Sequence, residues 1–213
     1  MDDIVTGELL LNRRRQSIAP TLIVIFVLIS VLIFFYFFSF IPIQGESMEN
    51  TIHDDQYCFV QRKLYDVKRG DIVIVDVSED KSEHDIVKRV IALSGDKLIF
   101  MRGQNNSVVE LYLCKNGDNK FTKLDESYIK ESMRYAANNF YQTPIMQYTS
   151  ELTEYNLDSL DHKIYAQIDP YITYVPNNHV FFLGDNRNVS RDSRYYGTRP
   201  LDKVKYKVLS VVY

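Results

Sequence analysis

The sequence predicts a mostly β domain that follows one membrane-spanning helix. Short runs rich in β-branched and aromatic residues recur along most of the chain, and Gly, Asn and Asp turns separate many of them, as is typical of antiparallel sheets. Tyr and Phe, which favour strands, number 16 and 12. The helix is indicated by a third observation, a strongly apolar stretch without any charged residue between Arg15 and Glu46.

The apolar stretch is long enough to cross a bilayer. Residues 21–41, at ~1.5 Å per helical residue, would span about 30 Å, which is the thickness of a bilayer core. A cleaved secretory signal would have an apolar region of only about 7–15 residues and a small-x-small cleavage site. We therefore predict an uncleaved anchor over residues 18–43, between a short N-terminal segment (1–17) and a folded domain (44–213).

The charges beside the anchor predict its direction. Arg13, Arg14 and Arg15 stand just before the apolar run, and positively charged flanks remain in the cytoplasm. The sequence thus predicts a single-pass protein of the cell membrane, with its N-terminus in the cytoplasm and its folded domain on the far side, next to the lipid bilayer.

Charge and cysteine content exclude several classes of partner. The formal net charge is −3, and no basic stripe is present for nucleic acid. Two cysteines are too few for a disulfide scaffold. Cys58 and Cys114 either pair or act as separate small apolar residues. No Cys-x-x-Cys or His-Glu-x-x-His spacing occurs, so neither a metal nor a cofactor is expected.

Strands are predicted along most of the domain. Residues 125–165 interrupt them, because this segment is polar and rich in Tyr and Asn, with a candidate helix near 125–139. We interpret it as part of a smaller lobe inserted at roughly 99–170. The predicted strands cover residues 56–62, 72–77, 86–93, 98–101, 108–114, 171–175, 179–183 and 204–213.

Lys88 is the most informative single residue. It lies within the apolar strand 86–93, where Ile86 and Val90 share its face. A desolvated lysine has a lowered pKa, and the neutral amine can accept a proton from a serine hydroxyl. The alternative is an ordinary solvated lysine on an exposed face.

Two polar segments supply further candidates. Ser47 lies in a Gly-containing loop just after the anchor, and such loops often carry catalytic residues, although a lone serine is usually a turn or capping residue. Residues 184–194 (GDNRNVSRDSR) follow an apolar strand and are dense in hydrogen-bonding groups. They could form either a scaffold around a site or a solvated surface loop.

Four segments resemble the motifs of the bacterial signal peptidase I family. Residues 45–51 (GESMENT) resemble its nucleophile motif, Gly-x-Ser-Met-x-Pro-Thr, and residues 69–73 (RGDIV) resemble its Arg-Gly-Asp strand. Residues 88–96 (KRVIALSGD) resemble the lysine motif, and residues 184–197 resemble the last motif. The order, the spacing and the position of the anchor all match. Four ordered motifs are far more specific than any one of them.

The resemblance implies a fold and a reaction. The fold would be the signal-peptidase-like antiparallel β body with an inserted lobe. The reaction would be the removal of N-terminal signal peptides from exported preproteins by a serine endopeptidase, in which Ser47 is the nucleophile and Lys88 the general base. Supporting roles would fall to Ser190, which orients the Lys88 amine, and to the ion pairs Asp185–Arg89 and Asp192–Arg194.

The resemblance also implies a substrate groove. Small side chains (Ala-x-Ala) would precede the cleaved bond. Where some relatives have a serine hydroxyl for the oxyanion, this chain has Gly45, so a second donor would come from the backbone. Core packing is the alternative role for most of the positions that match the groove, which are Ile43, Gly45, Met48, Ile52, Ile86 and Val87.

Departures from the family pattern affect geometry rather than chemistry. Asn50 replaces the proline of the nucleophile motif, and Ala92 and Ser94 replace a glycine and a proline near the lysine motif. Losing a proline frees φ and softens the loop that aims Ser47.

Two other functions share parts of this pattern. A non-catalytic relative that assists surface pilus assembly would lack the dyad, which is present here. A self-cleaving Ser-Lys repressor would need a DNA-binding segment where this chain has its apolar run.

Overall fold

In the part of the chain that the structure describes, a long N-terminal helix leads into two β-sheets. The coordinates are a computed structural model, in which residues 2–17 are described by backbone only. The described residues are 2–78, 85–102, 108–134, 140, 142–147 and 167–212.

Helix α1 (Asp2–Phe37) covers most of the predicted anchor but ends before the predicted boundary at residue 43. Residues Ile18–Phe37 have a mean hydropathy of 3.0, and none of this stretch is buried inside the protein, so the helix is long and apolar enough to cross a membrane. The helix does not extend over all of the predicted segment 18–43, because β1 (Phe38–Pro42) follows directly and pairs with a neighbouring strand. Hydropathy alone cannot separate a helix from the apolar strand that continues it.

Among the described residues, the larger sheet has seven strands, and every pair in it is antiparallel. Its order is β1-β2-β12-β3-β4-β10-β11. The predicted strands at 56–62, 72–77, 86–93, 179–183 and 204–213 are confirmed here, whereas β1 was not predicted. The remaining strands are β2 (Tyr57–Gln61), β3 (Ile72–Val75), β4 (Ile86–Leu93), β10 (His179–Leu183), β11 (Arg199–Pro200) and β12 (Val204–Val212).

The smaller sheet is inserted in the chain between β4 and β10. Its order is β7-β6-β5-β8, with β9 also pairing with β5, and the β5–β8 pair is parallel. Part of the lobe predicted for 99–170 lies outside the described residues, which resume at 167. The strands are β5 (Lys97–Arg102), β6 (Val109–Cys114), β7 (Thr122–Lys123), β8 (Ile145–Gln147) and β9 (Thr173–Tyr174).

Two local predictions were wrong. Residues 125–134 form turns and one bridge, Val108–Arg134, instead of the candidate helix near 125–139, whose last five residues lie outside the described ones. Polar residues of this segment bind distant side chains, as described below, and these contacts override local propensity. The predicted strand 171–175 is shorter, because Pro170 lies in a 3-10 turn, Asp169–Tyr171, that precedes β9.

A core between the two sheets holds them together. Ala92 and Leu98 contribute to it from the chain around the β4–β5 junction, and Phe181 and Leu183 contribute from β10. Cys58 and Cys114 are buried free thiols in two other clusters, so the alternative in which they pair is excluded. Helix α2 (Ser193–Tyr196) ends the polar run 184–194.

Candidate active site

Ser47 lies in a 3-10 turn, Glu46–Met48, between β1 and β2. Gly45 precedes the turn with a φ of 93°, a conformation that residues with a Cβ rarely adopt. Met48 is fully buried and fixes the turn to the core. The Ser47 carbonyl accepts a hydrogen bond of 3.0 Å from the Asn186 N–H, so the loop that carries Ser47 is also tied to the polar run.

Lys88 is buried on β4, between β3 and β10, with only 3% of the residue exposed. Its Nζ atom lies 2.6 Å from Ser47 Oγ and 2.8 Å from the Val87 carbonyl oxygen. The alternative of a solvated surface lysine is therefore wrong. Burial is the main cause that lowers the pKa of Lys88 to about 8, and the charges of Asp192 and Asp185 partly oppose it.

Arg89 and Asp185 form a two-point ion pair beside the dyad. Arg89 Nε donates to Asp185 Oδ1 at 2.8 Å, and Nη2 donates to Oδ2 at 2.6 Å. The Thr51 hydroxyl also donates to Asp185 Oδ2, at 2.5 Å. Asn50 Nδ2 donates to the Asp185 carbonyl at 2.9 Å. At the position where the family pattern has a proline, a side-chain hydrogen bond thus restrains the loop.

Asp192 and Arg194 form the second predicted ion pair. Both side chains are fully buried, and Arg194 Nε and Nη2 donate to the Asp192 carboxylate at 2.8 and 2.9 Å. Burial would raise the pKa of Asp192, but the charge and hydrogen bonds of Arg194 hold it below its usual value. The same carboxylate accepts from the Gly184 N–H at 3.0 Å, which fixes the start of the polar run.

Ser190 is buried, and both its side chain and the Ser47 carbonyl lie against Gly184. Within the described chain the Lys88 amine bonds to Ser47 Oγ and to the Val87 carbonyl, and the predicted bond with Ser190 is not among these contacts. Ser190 packs on Gly184 instead, where an added Cβ would lie 2.2 Å from Ser190 Oγ and 2.6 Å from the Ser47 carbonyl oxygen. Gly184 therefore permits the close approach of three segments.

An open cavity of about 640 Å³ lies beside the dyad, and both Ser47 and Lys88 line it. Three of the predicted groove residues, Ile43, Ile86 and Val87, also line it. Met48 and Ile52 have no exposed surface and pack in the core, so the alternative role applies to them. Gly45 is exposed but does not line the cavity. The sequence reasoning missed the remaining lining residues, which are Ile41, Pro42, Gln44, Ile74, Asp85 and Tyr206.

The missed residues depend on strand pairing that the sequence does not show. Ile41 and Pro42 belong to β1, which continues the apolar run of the predicted anchor. Ile74 and Tyr206 lie on β3 and β12, which are adjacent only in the folded sheet. Apolar periodicity alone could have placed them on strands but not beside this cavity.

A family model for signal peptidases, peptidase S26, matches residues 15–213. The chain belongs to this family. A signal peptidase I of Bacillus licheniformis is 31% identical over 175 residues, which cover 81% of this chain and 74% of the relative. A signal peptidase IB of Staphylococcus aureus is 27% identical over 195 residues, or 90% and 84% of the two chains.

A solved relative of the signal peptidase family aligns with part of the chain. The crystal structure of a signal peptidase I from Enterococcus faecalis V583 is 26% identical, covers 70% of this chain and 100% of its own, and gives a TM-score of 0.39. Within the described ranges, no cluster of three or more His, Cys, Asp and Glu side chains could hold a metal ion.

Proposed function

We propose that this chain is a membrane-anchored serine endopeptidase that removes signal peptides from exported preproteins. The observation that carries the proposal is the 2.6 Å contact between Lys88 Nζ and Ser47 Oγ at the wall of an open cavity. A nucleophile and a base within hydrogen-bond reach are the minimum requirement for acyl transfer. Membership of the signal peptidase family supports the substrate class.

The reaction begins with the neutral Lys88 amine, which takes the proton of the Ser47 hydroxyl. Ser47 Oγ then attacks the scissile carbonyl, the amine of the mature protein leaves with a proton from Lys88, and an acyl-enzyme remains. Water, deprotonated by Lys88, hydrolyses the ester and releases the signal peptide. The Ser47 backbone N–H is the candidate donor to the oxyanion, because Gly45 offers no hydroxyl.

The two buried ion pairs keep this geometry in place. Asp185, held by Arg89, accepts from Thr51, four residues after the nucleophile. Asp192, held by Arg194, fixes the Gly184 backbone, which lies against the Ser47 carbonyl. Both pairs therefore act on the loop that aims Ser47 rather than on the substrate.

The cavity and the anchor suit a signal peptide as substrate. Apolar side chains such as Ile43, Ile74 and Val87 line the cavity and would receive small side chains before the cut. Ser47 follows the end of α1 at Phe37 by ten residues, so at ~3.3 Å per extended residue it lies within ~33 Å of that end. We infer that the N-terminus is cytoplasmic and that the domain meets its substrate outside the membrane, near the lipid surface.

The test is cleavage of a purified preprotein by the full-length chain in detergent micelles. Wild type should release the signal peptide at one bond, as read by mass spectrometry of the new N-terminus, and Ser47→Ala should show no cleavage above background. Ser210→Ala is the matched control, because Ser210 is exposed on β12, and it should retain full activity. An inactive wild type would favour the pilus-accessory alternative, and an active Ser47→Ala would exclude Ser47 as nucleophile.

A further inference from the structure

Residues 126–128 reach the catalytic frame from a segment that has no counterpart among the four motifs. Tyr128 places its ring against Arg89, with 4.1 Å between the ring centroid and Arg89 Cζ. Arg89 is the residue next to Lys88 on β4, and its side chain is only 13% exposed. The ring therefore covers one flat face of a guanidinium that is one residue away from the general base.

The edges of the same guanidinium are already occupied. Arg89 Nε and Nη2 donate to Asp185, and Nη1 donates to the Gly70 carbonyl at 2.9 Å. These bonds fix the plane of the guanidinium but leave its faces open. A stacked aromatic ring is the contact that a planar cation accepts on a face, and it restricts motion out of the plane.

The Tyr128 side chain is itself held in place by a hydrogen bond from its hydroxyl. Its hydroxyl donates to Glu126 Oε1 at 2.7 Å. Glu126 in turn accepts from Arg187 Nη1 at 2.8 Å, and the Arg187 side chain has no exposed surface. Arg187 Nε donates to the Gly184 carbonyl at 3.0 Å. A closed ring of contacts thus runs from Arg89 through this segment and back to the polar run that carries Asp185.

We propose that Tyr128 is a positioning residue, whose ring face holds the Arg89 guanidinium and thereby aims the Ser47–Lys88 dyad. Arg89 passes the constraint along β4 to Lys88 and through Asp185 to Thr51 on the nucleophile loop. The role rests on the proposed peptidase function. It makes the inserted segment part of the catalytic frame, although it touches neither substrate nor reacting atoms.

The test compares kcat and KM for Tyr128 variants of the full-length chain, using a preprotein and a short Ala-x-Ala peptide ester. Tyr128→Leu and Tyr128→Met lose the ring face and should each lower kcat about tenfold, because small misplacements of reacting groups are costly, with KM unchanged within about twofold. Tyr128→Phe keeps the ring and should retain kcat within about threefold. A purely structural role would lower the thermal stability of the Leu and Met variants without lowering kcat of the folded protein.

Two controls separate positioning from folding. Tyr174→Leu removes another tyrosine hydroxyl–carboxylate bond, to Asp169, on β9 of the smaller sheet, and should leave kcat unchanged. In an Arg89→Lys background, which lacks the flat face, Tyr128→Leu should cost much less than in wild type. All assays are run at a temperature where thermal unfolding shows each variant to be folded.

Several results would overturn the proposal. They are a wild-type kcat in the folded Leu or Met variant, equal losses in Leu and Phe, full additivity with Arg89→Lys, or a failure of both Leu and Met variants to fold. If the wild type cleaves the ester but not the preprotein, the signal-peptide substrate is refuted, and the Tyr128 variants can still be compared on the ester. Wild-type inactivity on both would remove the reaction that Tyr128 is proposed to support, and this proposal with it.

Discussion

Asn50 Nδ2 donates a hydrogen bond of 2.9 Å to the Asp185 carbonyl oxygen, and this bond joins two segments 135 residues apart. A proline would restrict φ at this position within the chain, whereas the asparagine restrains the loop by a contact across the site. Asp185 is held by Arg89, which lies on β4 next to Lys88. The bond from Asn50 therefore links the loop of Ser47 to the strand that carries Lys88.

Replacing Asn50 by Ala should reduce turnover without removing a chemical group. The lost hydrogen bond is worth about 1 kcal/mol of stability, and the freed loop should lower kcat several-fold at nearly constant KM. Steady-state kinetics and thermal unfolding of the full-length chain measure both effects. Asn50→Asp tests the donor itself, since a carboxylate cannot donate to a carbonyl; a fully active Asp variant would show that the contact is dispensable.

Activity should follow the deprotonation of Lys88. Burial lowers the pKa of Lys88 to about 8, and only the neutral amine can accept the Ser47 proton. The rate should therefore fall about tenfold per pH unit below that value and level off above it. A profile of kcat against pH measures this fall in rate on the acid side and the apparent pKa at which it begins. An apparent pKa near ~10.4, as in free lysine, would contradict the role of burial.

The lowered pKa also has a cost in stability. The folded pKa of about 8 lies below the ordinary value of 10.5, so the unfolded chain binds the proton more tightly, and Lys88 makes stability rise with pH between these values. Below about pH 8 the charged amine costs about 3 kcal/mol. Lys88→Met should be inactive yet at least as stable as wild type at pH 7.

Thermal unfolding at pH 7 and at pH 10 checks this expectation. The stability difference between Lys88→Met and wild type should shrink as the pH rises. The wild type becomes more stable as Lys88 loses its proton, whereas Met has no proton to lose. A variant that is less stable than wild type at pH 7, or a difference that does not change with pH, would contradict it.

Glu126→Gln should destabilise the protein strongly. The Arg187 side chain has no exposed surface, and Glu126 supplies the negative charge beside it. Removing one partner of a buried ion pair costs about 3 kcal/mol. Glu110→Gln is the control, because its partner Lys123 is 60% exposed, and it should cost about 0.5 kcal/mol or less. Equal effects of the two substitutions in thermal unfolding would show that the buried pair has no special role.

The sequence singled out Ser47, Lys88 and the two ion pairs, but it missed much of the cavity wall and the contact of Tyr128, for a physical reason. Lys88 and Ser47 stand out locally, one as a charge in an apolar strand and the other in a short motif. Tyr206 reaches the cavity, and Tyr128 reaches Arg89, only through long-range packing, which leaves no periodic signal in the sequence. The Ser190–Lys88 hydrogen bond was predicted only by analogy between motifs, and it is not among the bonds that the Lys88 amine forms with described residues.

The orientation of the chain in the membrane is the remaining prediction, and the proposed function depends on it. Three arginines precede the apolar helix, which should hold the N-terminus in the cytoplasm and place Ser47 outside. A cysteine at Glu49, whose side chain is 42% exposed, should react with a membrane-impermeant thiol reagent in intact spheroplasts. The wild-type chain is the control: Cys58 and Cys114 are buried, and burial raises the pKa of Cys58 to about 11, so neither should label. Labelling of Glu49→Cys only after lysis would place the site in the cytoplasm, away from exported signal peptides.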